Sequence, residues 1–196
     1  MNVSTVTRGA PVSFPEFTGE RVYMRRFERG APLPDDLARW QETVDSMLVG
    51  VESDGPCFLM IDQMYVPSGK YHRRPGLHVD WYWHDILQAH GSPGHRPVPG
   101  HQPRPQPKHG PERKAHEAVV LAASSLGCRA YRGAFEGRPL DDGDAAHIDV
   151  SGLEVVDMAP RRAWICDAGS TLHETLPELN DTFRTVVRLN VAGWRP

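Results

Sequence analysis

Ten histidines in this chain raise the question of which of them could meet at one metal ion. In His78-Val79-Asp80 an imidazole and a carboxylate stand two residues apart, and on an extended strand residues i and i+2 point to the same face. One strand would therefore deliver two ligands side by side. His173 closes the run AWICDAGSTLH, an apolar strand followed by a Gly-Ser turn that would present a third ligand at a strand edge. Two neutral imidazoles and one carboxylate suit Fe(II), because the set leaves adjacent coordination positions open and neutralises only one of the ion's two charges. Beyond His173, the segment Phe183-Arg184-Thr185-Val186-Val187-Arg188-Leu189-Asn190 alternates so that Arg184, Val186 and Arg188 share one strand face. Guanidiniums turned towards a core are costly unless paired, and their fork of N–H donors matches a carboxylate bidentately. The pair asks for a dianionic small molecule.

In this order, His78-x-Asp80, then His173, then an arginine eleven residues on, the sequence resembles the 2-oxoglutarate/Fe(II)-dependent dioxygenase superfamily. The segment YVPSGKYHRRPGLHVD resembles that superfamily's approach to the H-x-D strand, and AWICDAGSTLHETLP its approach to the distal histidine. The resemblance covers roughly residues 57 to 191, with its specificity in the few chemical positions. It implies a double-stranded β-helix, the jelly-roll or cupin-like barrel. It also implies iron on His78, Asp80 and His173, with Arg184 gripping the distal carboxylate of 2-oxoglutarate and dioxygen as co-reactant. Arg188 matches a second co-substrate arginine found in a subset of the superfamily, and Tyr65 lies where strand-borne donors to the co-substrate often sit. The expected reaction oxidises a small molecule, an amino acid or a natural-product intermediate, by hydroxylation, desaturation or cyclisation, releasing succinate and carbon dioxide. An intact carboxylate at Asp80 argues against halogenation.

Other residues compete for these roles. A second H-x-D, His147-Ile148-Asp149, leaves only 24 residues before His173, room for about two strands of ~5–6 residues each, whereas the resemblance needs more. His147 is therefore expected in a loop or at a strand end, bonded locally. His84 and Asp85 follow the aromatic run Trp81-Tyr82-Trp83, which reads more readily as core than as a substrate platform. His95, His101 and His109 fall in a Pro-rich stretch without ligand spacing. A cupin-type iron or manganese site, or a metal-binding barrel without 2-oxoglutarate, remains the alternative; such a site has no need of paired arginines. A jelly roll that has lost its chemistry would not keep all three ligands.

The elements that must position these groups are mostly short strands. CFLMIDQMYV, GLHVDWYW, AVVLAASS, CRAYRGAF, GLEVVDMA, RAWICDA and RTVVRLNV are apolar or alternating runs cut by Gly and Pro. Ahead of them, Leu37, Trp40, Val44 and Leu48 recur at helical spacing behind Asp35-Asp36, which predicts one amphipathic helix within an N-terminal helical or lid region over residues 1–50. A β-barrel core would span 57–191. Residues 91–113, with seven prolines and four glycines, read as an inserted flexible loop.

At 196 residues the chain fits one domain. A net charge of -3 gives no long-range attraction to a polyanion, so nucleic acid is not the expected partner. Cys57, Cys128 and Cys166 are odd in number and widely spaced, which fits a reducing, cytoplasmic setting better than a disulfide framework. No run of apolar residues reaches membrane-span length, so no membrane association is expected.

Overall fold

A computed structural model describes residues 1–83 and 116–196. The chain is mainly β. Its strands are β1 (Asn2–Ser4), β2 (Val6–Pro11), β3 (Arg21–Phe27), β4 (Glu52–Ser53), β5 (Cys57–Val66), β6 (Glu117–Ala123), β7 (Cys128–Phe135), β8 (Glu154–Asp157), β9 (Arg162–Asp167), β10 (His173–Thr175), β11 (Thr182–Ala192) and β12 (Trp194–Arg195). A six-stranded antiparallel sheet runs in the order β2-β9-β6-β11-β5-β3. A smaller antiparallel sheet joins β1, β7 and β10, with β8 also paired to β7.

Alternation sorts the central strands into two faces. On β11, Val187, Leu189 and Val191 join Leu59 and Ile61 of β5, Val120 and Ala122 of β6, and Ala163 and Ile165 of β9 in the largest core. The predicted helix covers this face. It forms in two parts, a 3-10 turn over Asp35–Trp40 and α1 over Gln41–Met47. Leu37, Trp40, Val44 and Leu48 are all buried, as their spacing requires. Burial of the Trp40 ring is completed by its indole N–H, which donates to Glu20 at 2.9 Å.

The opposite face of the six-stranded sheet meets the smaller sheet. Val119, Trp164 and Cys166 pack there against Ala130, Val156 and Met158. Beyond the smaller sheet, Val79, Trp81, Phe135, Ala145, Ile148 and Leu172 form a third cluster. The architecture is thus helix, sheet, sheet and loop layer. No sheet among the described residues closes on itself into a barrel, so the double-stranded β-helix expectation is met here only at the level of stacked antiparallel sheets.

Two expectations need correction. Residues 1–50 are not a helical region alone, since β1, β2 and β3 come from it and extend both sheets. Their burial alternates weakly, with β3 reading mostly exposed and β2 half-exposed, as edge strands do. Second, GLHVDWYW is not a regular strand. Gly76 at φ 86° and Trp81 at φ 58° bound a short extended run, in which His78 makes single bridges to His173 and to Asp144. The period-two argument survives without the strand, because Val79 is buried in the third cluster while His78 and Asp80 line the opposite side. The 91–113 stretch and His84, Asp85, His95, His101 and His109 lie outside the described residues. No helix among the described residues is long and apolar enough to cross a membrane.

Candidate metal centre

The ligand atoms of His78, Asp80 and His173 lie within 4.8 Å of one another, a separation that two metal–ligand bonds of about 2.1 Å each nearly span. Three local devices bring them together. The extended run carries His78 and Asp80 on one side. The turn after β9 is tied by Asp167, whose carboxylate accepts from the Gly169 amide and the Ser170 hydroxyl, and it delivers His173 to the first position of β10. Gly169 is needed in that turn: a Cβ there would stand 2.5 Å from the Tyr82 ring. Finally, His78 and His173 pair through their main chains.

Each imidazole is oriented the same way. Nδ1 of His78 lies 2.7 Å from the Gly76 carbonyl and Nδ1 of His173 lies 3.1 Å from the Thr171 carbonyl. A carbonyl can only accept, so each Nδ1 carries the proton and each Nε2 is left to bind a metal. Nε2 of His173 stands 3.4 Å from Asp80 Oδ2, and the two rings are 4.3 Å apart between centroids.

Electrostatics favour the ligating forms of His78 and Asp80. Burial, reinforced by His173, pushes the His78 pKa down to about 4, so that ring is neutral at physiological pH. Burial alone would raise Asp80, but the Arg188 guanidinium and the adjoining His173 hold its carboxyl well below the usual range. Burial opposes the charged form of His173 most strongly, but the hydrogen bond and the negative charge of Asp80 together outweigh it and raise its pKa, so without a cation between them Asp80 favours the protonated ring. The donor set, two imidazole nitrogens and one carboxylate on one side of an open pocket, could hold a metal ion.

The pocket around these ligands has about 770 Å³ of empty space, counting its open mouth. Arg184, Val186 and Arg188 line it together, as the alternation of β11 requires. Arg188 is engaged, since its Nη1 donates to Asp80 at 2.7 Å and its Nε to Asn190 at 2.8 Å. Asn190 in turn donates to the buried Glu117. Arg184 is one of the largest fully buried side chains. Its Nε lies 3.2 Å from Glu178, while Nη1 has no hydrogen-bond partner among the described residues. Desolvation lowers its pKa despite the opposing charge of Glu178. Its guanidinium lies over Gly127, where a Cβ would come within 2.4 Å.

Tyr65 does not join the site. Odd-numbered residues of β5 face away from the pocket, and Tyr65 is exposed, stacked near Phe183 with its hydroxyl donating to Asp181 at 2.8 Å. The reason is register: Tyr65 opposes Phe183, not Arg184. His147 is exposed and bonds locally to the Arg138 carbonyl, and the exposed Asp149 accepts from the Ser151 amide, so neither approaches the ligands. Trp81 is core, with its indole N–H donating to the Leu140 carbonyl.

Sequence reasoning missed Arg73 and Arg74, which also line the pocket. The signal available was position alone, since adjacent arginines stand just before the Pro-Gly turn that leads into H-x-D. Cys128 and Met158, also in the lining, carried no such mark. Comparison of the chain with protein-family models, with curated proteins and with solved structures gave no match.

Proposed function

We propose that the protein is a 2-oxoglutarate-dependent non-haem Fe(II) oxygenase acting on a small molecule. The observation that carries this reading is the convergence of His78, Asp80 and His173 at one end of a pocket whose interior holds a buried arginine with an uncommitted donor, Arg184. On this reading the stacked sheets are an open form of the double-stranded β-helix. His78, Asp80 and His173 hold the iron, which when bound couples oxidative decarboxylation of the keto acid by dioxygen to oxidation of a substrate C–H bond. Arg184 receives the distal carboxylate through Nη1. Arg188 keeps the Asp80 carboxylate in place, so it is a positioning residue rather than a co-substrate ligand. Met60, Leu121, Val186 and Trp164 keep bulk water from the reacting end. Three free cysteines are consistent with work in the reducing cytoplasm.

The test is succinate formation from 2-oxoglutarate by the iron-loaded protein in air, compared with Arg184→Gln. The reading requires slow, iron-dependent turnover even without substrate, and a sharply higher 2-oxoglutarate requirement in the variant.

One observation favours a second reading. Both strand arginines already have carboxylate partners, Arg184 with Glu178 and Arg188 with Asp80, so a cupin-type metal site that uses no keto acid accommodates the same contacts. Iron binding without any 2-oxoglutarate binding would select it.

A further inference from the structure

Four guanidiniums line the pocket, and they are not equally committed. Arg188 is held by Asp80 and Asn190. Arg74 is held by the Asp142 carbonyl and by the carboxylates of Asp142 and Asp144. Arg184 lies deep, against Glu178. Arg73 is different. Among the described residues its ion-pair partner is Asp62, at 3.0 Å from Nη1, and that carboxylate is shared with Arg21 at 3.3 Å and with the buried His72 at 3.4 Å. One negative charge thus serves two permanent cations.

Depth separates Arg73 from Arg184. Its side chain is 41 % exposed, against 2 % for Arg184. A buried cation suits a co-substrate that binds first and stays covered, whereas a rim cation meets whatever enters afterwards. Beside Arg73 the lining turns apolar, with Met60 and Val186 on the same sheet face and Leu121 and Trp164 further along it.

We propose that Arg73 is the receptor for an acidic group of the substrate, so that the enzyme acts on a carboxylate-bearing molecule with an apolar body. This rests on the oxygenase reading for the word substrate, but the binding preference itself does not need iron. The carboxylate docks on the N–H edge of Arg73 that faces away from Asp62, and the apolar body lies over Met60 and Val186. Arg73→Gln leaves a shorter, uncharged side chain that still carries an N–H donor.

The experiment uses matched probe pairs, N-acetyl-leucine with N-acetyl-leucinamide and hexanoate with hexanamide. Binding is read by saturation-transfer NMR on the full chain loaded with Zn(II), with and without saturating 2-oxoglutarate. The expected result is that each acid binds roughly tenfold or more tightly than its amide, as a charge-assisted contact supports. The preference should persist under saturating 2-oxoglutarate and collapse to about one in Arg73→Gln. Equal binding of acid and amide, no binding of either acid, or a preference retained in Arg73→Gln would overturn the proposal. So would displacement of both acids by 2-oxoglutarate, which would assign Arg73 to the co-substrate instead. If the preference holds but 2-oxoglutarate does not bind, the oxygenase reading fails while the acid receptor stands.

Discussion

His78 and His173 exchange both of their backbone hydrogen bonds: the amide of each donates to the carbonyl of the other, at 2.9 and 3.0 Å. The contact that brings two imidazoles together is thus made by main-chain atoms, and it does not depend on either side chain. His173→Ala should therefore leave the fold intact by circular dichroism while weakening Fe(II) or Zn(II) binding by on the order of 100-fold or more. Unchanged metal affinity would remove His173 from the ligand set.

Arg188 and Asp80 form a pair in which both members are nearly buried. Breaking such a pair from one side strands a charge, at a cost of about 3–5 kcal/mol. Arg188→Met should lower the thermal midpoint of the metal-free protein, and a divalent cation, which supplies the missing positive charge, should restore most of the loss. A variant that gains no more from metal than the wild type does would show that Arg188 does not hold Asp80 for the metal.

Gly127 offers a test of Arg184 that leaves its charge alone. A Cβ at this position would collide with the guanidinium at 2.4 to 2.7 Å, and a flexible tip can move away from it. Gly127→Ala should raise the 2-oxoglutarate concentration needed for half-saturation, with little change in thermal stability. Equal requirements in variant and wild type would mean that the guanidinium position does not matter to co-substrate binding.

Asp62 ties the strand face to the segment that precedes His78 and Asp80. Burial would raise its pKa, but His72 and Arg73 outweigh that and lower it from the ordinary 3.8. Its folded-state value lies below the unfolded one, so its contribution to stability is present above about pH 4 and is lost as pH falls through the folded value. Asp62→Asn should be less stable than wild type at pH 7, and the gap should narrow below pH 4 in denaturant titrations. A gap that widens on acidification would reverse the sign of this coupling.

Much of this arrangement was legible before any coordinates. Leu37, Trp40, Val44 and Leu48 announced the helix because burial at period 3.6 leaves few other solutions, and β5 coincides with CFLMIDQMYV because a long apolar run bounded by Pro and Gly admits one strand. That His78 and Asp80 share a side was legible for a similar reason, since i and i+2 share a face in any extended chain, regular strand or not. The edge strands were hidden. RVYMRRF, as β3, exposes most of its side chains and so carries no burial pattern to read. Tyr65 was misplaced because its side of β5 depends on register with β11, and a shift of one residue exchanges the faces. The closed barrel was inferred from resemblance, and strand patterns alone do not distinguish a sheet that closes from two that stack.

Anaerobic absorption spectroscopy of the Fe(II)-loaded protein, before and after addition of 2-oxoglutarate, addresses the proposed chemistry most directly. A weak visible charge-transfer band on addition of the keto acid, absent in His78→Ala and His173→Ala and shifted to higher 2-oxoglutarate concentration in Arg184→Gln, is the outcome expected here. Iron that binds with no such band at any 2-oxoglutarate concentration would rule out the oxygenase and leave the cupin-type metal site.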